Sequence, residues 1–178
     1  MWKVWSANRS AYTRGMRPLL LFTVRGALAA LLASALAASV LAESAAGLTW
    51  TMPAGWKAEA ARPMRAATYT VPPAPGDKDA GECGIFFFGA GQGGSVQDNI
   101  DRWRAQMQGP DGKPAPAKVA TRQARGLRMT TIDASGAYSG MGGPMGGGRA
   151  VPGYRLLGAV VEGSGGNVFV KFTGPARL

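Results

Sequence analysis

The side chains of this sequence that are most able to carry out acid–base chemistry are carboxylates, which occur in two groups. Asp77, Asp79 and Glu82 precede an apolar segment, and Asp98 and Asp101 lie three residues apart in a helical segment. Glycoside cleavage uses a carboxylate pair of which one member acts as a general acid. Both groups lie in polar segments, so neither has the desolvated surroundings that a general acid needs. A carboxylate-dependent hydrolase of envelope or extracellular glycans is therefore the second hypothesis, and we expect no catalytic residue.

Three glycines could contribute to nucleotide binding. Gly89, Gly91 and Gly94 match the Gly-x-Gly-x-x-Gly pattern between an apolar segment and a helix start, as in dinucleotide-binding sites. Such a site also requires a second parallel strand and an acidic residue about 20 positions later. The nearest candidate, Asp111, lies in a Pro-Asp-Gly turn, and Ser95 stands where a phosphate-binding loop has lysine. We therefore predict a tight strand-to-helix connection and no cofactor.

Histidine is absent, and the only cysteine is Cys83. A Ser-His-Asp or Cys-His catalytic arrangement is therefore excluded, and a transition metal would lack its preferred ligands. A single cysteine allows no intramolecular disulfide. The apolar neighbours of Cys83 predict a buried thiol, and we expect no metal site.

The first 42 of the 178 residues have the composition of a signal peptide. Basic residues and no acidic ones accompany an uncharged apolar stretch, 26–42, that ends in Val40-Leu41-Ala42. Signal peptidases cleave after such small-x-Ala sequences, so we predict cleavage between Ala42 and Glu43 and a periplasmic or secreted protein. Translation from Met16 would give a leader of conventional length. The alternative is an uncleaved segment that anchors the chain in the inner membrane.

The net charge of +10 raises the question of nucleic-acid binding. Half of that charge lies in the leader, because 15 basic and 10 acidic residues follow Ala42, a net charge of +5. Arg122, Arg125 and Arg128 recur every three residues, but no aromatic residues lie among them, as single-strand binding would require. We therefore expect no nucleic-acid partner, and membrane contact only through the leader.

Hydrophobic patterning after Ala42 predicts a single α+β domain over 43–178, with a central antiparallel sheet and one main helix on a face. Ser95 is the predicted N-cap of that helix, and Val96, Ile100, Trp103 and Met107 form its apolar stripe. Residues 139–148 are glycine-rich and predict a loop. Seven strands are predicted, over 48–52, 65–71, 82–88, 118–123, 127–133, 154–162 and 167–173.

Several landmarks in the chain occur in the order found in a known family. They are Trp50, Pro53, Gly55 and Trp56, then Gln92-Gly93-Gly94-Ser95, then Asn99-Ile100-x-Arg102-Trp103-x-x-Gln106, and a late Gly174-Pro175. From about residue 48 to 175 the sequence resembles exported bacterial proteins with the PsbP-like fold, whose members include photosystem accessory proteins, a nuclear Ran-binding protein and envelope proteins such as DcrB. The resemblance implies an accessory or binding role, although fold alone does not fix function.

The resemblance also implies a closing helix after the late Gly-Pro, whereas this sequence ends at Arg177-Leu178. Either the helix is absent or the sequence is cut short or frame-shifted. An absent helix would leave one face of the sheet partly bare, with an exposed apolar patch. We therefore expect low solubility unless a partner covers that face.

The first hypothesis is an exported, non-catalytic protein of the periplasm or envelope that binds an envelope protein or a small ligand. The predicted contact residues surround the start of the helix and are Gln92, Asn99, Arg102 and Trp103. Trp103 also belongs to the apolar stripe of the helix, so a place in the core is the competing interpretation.

Overall fold

The computed structural model describes residues 43–140 and 149–178. Within these ranges a largely antiparallel sheet and a single helix packed against it form an α+β fold, which confirms the predicted class. The signal peptide predicted over 1–42 and most of the glycine-rich loop predicted over 139–148 lie outside the described residues.

Ten strands and one helix are present in the described part of the chain. The helix is α1 (Val96–Ala105). The strands are β1 (Glu43–Ala45), β2 (Leu48–Trp50), β3 (Lys57–Ala58), β4 (Ala67–Val71), β5 (Gly81–Phe86), β6 (Met107–Gln108), β7 (Ala117–Ala124), β8 (Leu127–Tyr138), β9 (Val151–Gly163) and β10 (Gly166–Pro175).

The main sheet has the strand order β3-β4-β5-β10-β9-β8, and both β6 and β7 pair with the free edge of β8. Every strand pairing in the described residues is antiparallel. The predicted hairpin between the last two strands is confirmed, with a ladder from Gly166↔Gly163 to Pro175↔Tyr154. β10 lies in the middle of the sheet, so its side chains face covered surfaces on both sides.

Helix α1 begins as the sequence predicts. The Ser95 hydroxyl accepts a hydrogen bond from the Asp98 amide, and the Asp98 carboxylate accepts one from the Ser95 amide, which completes a capping box. Ile100 and Trp103 are buried against β8 and β9. At Gly158 on β9 a methyl group would lie 2.3 Å from the Trp103 ring, so this glycine makes the close approach of the indole possible.

The predicted apolar stripe of the helix includes one residue too many, Met107. The helix ends at Ala105, and Met107 begins β6 opposite Tyr138 instead of extending the helical stripe. The Gln106 carbonyl accepts hydrogen bonds from the amide and the hydroxyl of Ser139, which turns the chain into the sheet. Met107 is nevertheless fully buried, because the strand and the helix contribute to the same core.

The strands form two hydrophobic clusters, one on each face of the sheet. On β10, Phe169 packs beneath α1 with the first cluster, whereas Val168 and Phe172 point to the second. Residues between 45 and 56, including the β1–β2 ribbon, cover this second cluster. Beneath that ribbon, the Trp50 indole donates to the Tyr69 hydroxyl at 2.7 Å.

The face opposite α1 is covered unevenly. The β1–β2 ribbon covers the second cluster, while Met129, Ala159 and Val161 on β8 and β9 stay partly exposed. Leu178 packs against the second cluster, and the Ala176 amide donates to the Gly153 carbonyl. The expected low solubility stays a prediction.

The sequence predicted fewer strands than the structure contains. β1, β3 and β6 are only two or three residues long, and β1 begins at the predicted signal cleavage site. β8 and β9 extend well beyond their predicted bounds, to 12 and 13 residues. Among the described residues no helix is long and apolar enough to cross a membrane.

Candidate functional site

The structure places the four predicted contact residues in two different environments. Gln92 and Arg102 are exposed, whereas Asn99 and Trp103 are buried. The Asn99 side-chain amide donates to the carbonyls of Gly93 and Ser95, at 2.9 and 2.8 Å. Asn99 and Trp103 therefore stabilise the helix start and the core, and a binding role for the four residues stays a prediction.

The glycine segment before α1 has the tight geometry that was predicted. Gly89, Gly91, Gly93 and Gly94 all have positive φ angles, and a methyl group on Gly93 would meet the Phe169 and Phe88 rings at 2.7 Å. A dinucleotide fold needs parallel strands joined through a helix, and the described strands pair only antiparallel. The predicted tight connection therefore accounts for these glycines, and the expected absence of a cofactor stays a prediction.

Three carboxylates of the hydrolase hypothesis, Asp77, Glu82 and Asp98, are engaged by basic or polar neighbours. Asp77 pairs with Arg177, and the hydroxyl and amide of Ser95 hold the pKa of Asp98 below its usual range. Burial raises the pKa of Glu82, but the hydrogen bond and charge of Arg65 outweigh burial and hold that pKa below the usual range. A general acid needs a raised pKa, so Glu82 and Asp98 are unsuited to that role.

The clearest concentration of unusual chemistry lies elsewhere, around Lys171 on β10. Its ammonium donates to Gln106 Oε1 at 2.5 Å and to the Tyr138 hydroxyl at 3.3 Å, and lies 5.3 Å from the centre of the Tyr138 ring. We call Lys171, Gln106, Tyr138, Arg65 and Glu82 the Lys171 cluster. Three different parts of the chain therefore meet at one amine: the end of α1, β8 and β10.

Two glycines make room for this arrangement. Lys171 lies between Gly84 on β5 and Gly158 on β9, its register partners in the sheet. The Trp103 ring lies over Gly158, and a methyl group on Gly84 would lie 2.9 Å from the Phe86 ring. The lysine side chain thus rises between two aromatic rings that lie over its neighbouring strands, which removes water from much of its length.

Arg65 brings a second positive charge next to Gly84, the register partner of Lys171 on β5. Its Nη1 lies 3.4 Å from the position of a methyl group on Gly84 and donates to Glu82 Oε1 at 2.7 Å. The guanidinium also lies 5.1 Å from the centre of the Phe86 ring. Arg62 pairs with the other oxygen of the same carboxylate at 3.0 Å. Glu82 is therefore shared by two arginines and does not pair with Lys171.

Burial lowers the pKa of Lys171 to about 8, opposed by the charge of Glu82 and assisted by that of Arg65. Burial also raises the pKa of the Tyr138 hydroxyl. Among the described residues Lys171 forms no ion pair. An ammonium group has three N–H donors, and the described residues accept two of them.

Comparisons of the chain with protein-family models, curated proteins and solved structures found no match. The resemblance to the PsbP-like fold therefore stays a prediction.

The sequence alone did not indicate a site at Lys171, because a lysine in a strand is usually solvated. The available signal was its position in the segment NVFVKFT, where Phe169, Val170 and Phe172 around it are apolar. Gln106 was part of the family resemblance, but no function was predicted for it. Arg65 was read only as the start of a strand.

An open groove lies beside this cluster, between the β1–β2 ribbon and the residues before β4. Met64 on its rim is 72% exposed and has a positive φ angle of 63°, a backbone conformation that is unfavourable for methionine. The groove is lined by Ser44, Ala45, Ala46, Met64, Arg65, Ala66 and Phe87. Arg65 thus belongs both to the groove and to the Lys171 cluster.

Proposed function

We propose that the protein is an exported, non-catalytic binding protein of the bacterial envelope, and that it holds an anionic group of its ligand at Lys171. The observation that carries this proposal is a largely buried ammonium whose described partners, Gln106 and Tyr138, are both uncharged. A buried charge without a counter-charge is unfavourable, so a carboxylate or phosphate that reached the amine would be bound favourably.

The neighbouring groups support the same ligand chemistry. Arg65 adds positive charge one strand away, and its carboxylate partner Glu82 is already shared with Arg62. Lys171 as a whole residue is not fully buried, so part of the side chain borders solvent. The aromatic rings of Phe86 and Tyr138 provide apolar surface next to the cations. An anionic group on a small organic molecule matches this combination of a positive amine and flat apolar walls.

The hydrolase hypothesis has less support. Glycoside cleavage requires one carboxyl group that stays protonated near neutral pH, and Glu82, the carboxylate of the cluster, has a lowered pKa. Export to the envelope is supported by the composition of residues 1–42 alone.

Anion binding can be tested with the purified chain by thermal denaturation and isothermal titration calorimetry. The probes are acetate, citrate and inorganic phosphate, with glucose as a neutral comparison. We expect at least one anion to raise the melting temperature of the wild-type protein, and glucose to leave it unchanged.

Lys171→Gln removes the charge and keeps hydrogen-bonding capacity, so it should abolish the stabilisation by the anion. Lys57→Gln, which removes an exposed lysine on β3, is the matched control and should respond as the wild type does. Equal responses of both variants, or no response of the wild type to any anion, would contradict the proposal. Turnover of a glycan panel that is lost in Glu82→Gln would favour the hydrolase instead.

A further inference from the structure

Among the described residues, strand β7 forms an open edge of the main sheet. All eight of its residues pair with β8, and seven of the eight are exposed. In the described part of the chain no backbone hydrogen bond joins β7 to any segment other than β8. About half of the backbone N–H and C=O groups of such an edge strand point outward without partners.

The strand lacks most of the features that normally block an edge. It contains no proline, and its ladder with β8 runs in unbroken register from Ala117↔Ala134 to Ala124↔Leu127. Val119, in its middle, is 48% exposed. Its one protective feature is charge, since Lys118 and Arg122 are exposed on it.

The charge of this edge has a single sign. Between Asp111 and Asp133 the sequence contains five basic residues and no acidic one. Lys118 and Arg122 lie on the same face of β7, opposite Asp133 and Met129 of β8, whereas Val119 points to the other face. The edge therefore presents Lys118 and Arg122 on one face. The other face presents Val119, which lies between them along the strand.

We propose that β7 binds an acidic extended segment of a partner protein, which adds to the sheet as an antiparallel strand. Backbone hydrogen bonds supply affinity in this mode of binding, and side chains supply specificity. Opposite-charge pairs on facing strands are stabilising, so acidic residues belong opposite Lys118 and Arg122. In an antiparallel segment these acids are four residues apart, and a β-branched residue opposite Val119 directly precedes the second acid.

Charge distinguishes this occupant from the two alternatives. A second copy of the chain would bring the same basic strand against β7, and like charges on facing strands are destabilising. A single-stranded nucleic acid needs aromatic side chains on which its bases stack, and residues 113–132 contain none. An acidic strand would pair both with Lys118 and Arg122 and with the outward-facing backbone groups of β7.

The test uses a fluorescein-labelled peptide, Thr-Glu-Thr-Thr-Val-Glu-Thr, in fluorescence anisotropy with the purified full-length chain. A peptide of the same composition with its two glutamates adjacent places the acids on opposite faces. A third peptide, N-methylated at alternate residues, lacks donors for the sheet. We expect the first peptide to bind at least about tenfold more tightly than the other two, and to slow amide hydrogen exchange in 117–124.

Lys118→Glu/Arg122→Glu should weaken binding at least about tenfold, because two favourable pairs become repulsive. Lys57→Glu/Arg104→Glu, with the same change in net charge at exposed residues elsewhere, should not. Equal binding of all three peptides, or tighter binding of a thymidine 15-mer than of the peptide, would overturn the proposal. If the double variant fails to fold, the comparison of the three peptides still decides. None of these outcomes depends on anion binding at Lys171.

Discussion

Replacing Lys171 with methionine should change how the stability of the protein depends on pH. The pKa of this amine is about 8 in the folded protein, against its ordinary value of 10.5. Between these two values the unfolded chain binds more protons at this position than the folded chain does. The protonated lysine therefore lowers the stability of the folded state at neutral pH, and the folded state gains stability as the pH rises.

The size of the effect follows from the two pKa values. At about 1.4 kcal/mol for each pH unit between them, the full penalty at pH 7 is roughly 3 kcal/mol. Because Lys171 is not fully buried, water screens part of this penalty. Between pH 7 and pH 9.5 we therefore expect the wild-type protein to gain about 1 to 2 kcal/mol relative to Lys171→Met.

Urea denaturation of both proteins at several pH values between 7 and 9.5 measures this difference directly. The loss of the hydrogen bonds to Gln106 and Tyr138 changes the free energy of unfolding of the variant by an amount that varies little with pH. The slope of the stability difference against pH therefore reports the titration of the ammonium. Lys57→Met supplies the baseline for loss of an exposed lysine. Parallel curves for the wild type and Lys171→Met would refute the assignment of Lys171 as a buried, poorly compensated charge.

Three further changes test other parts of the structure. Gly158→Ala should lower the free energy of unfolding in urea by about 1 to 3 kcal/mol, because the methyl group would lie 2.3 Å from Trp103; unchanged stability would mean that the indole does not pack there. Ser95→Ala should lower the free energy of unfolding by about 1 kcal/mol, because it removes the hydroxyl that accepts a hydrogen bond from the Asp98 amide. A change below about 0.3 kcal/mol would argue against the cap. Burial raises the pKa of Cys83 to about 11, so its thiol should react with Ellman's reagent at pH 8 only after unfolding, and rapid reaction of the folded protein would contradict this.

Local signals in the sequence were sufficient for the helix and for the last hairpin. The capping box at Ser95 and the apolar stripe with Ile100 and Trp103 are contained in a few consecutive residues, and so are the glycines between β9 and β10. The end of the helix was not predictable in this way. It depends on Ser139, 33 positions later, whose amide and hydroxyl bind the Gln106 carbonyl.

The Lys171 cluster illustrates the same limit for a site. Lys171 and Gln106 are 65 residues apart, and Tyr138 is 33 residues from Lys171. Only the strand register, which places Lys171 between two glycines, shows why the amine is buried. The predicted contacts at the helix start lie close together in sequence, so a local pattern indicates groups such as Asn99. No local pattern indicates the contacts of a lysine in a distant strand.

The position of Lys171 links the stability measurement to the proposed binding role. An apolar side chain at this place in β10 would extend the first cluster from Phe169 without the cost of a buried charge. If Lys171→Met is relatively more stable at neutral pH and also loses anion binding, the ammonium lowers stability in exchange for a binding site, as functional residues commonly do. If the variant shows the stability effect but still binds the anion, the anion contacts Arg65 instead, and Lys171 only positions Gln106 and Tyr138.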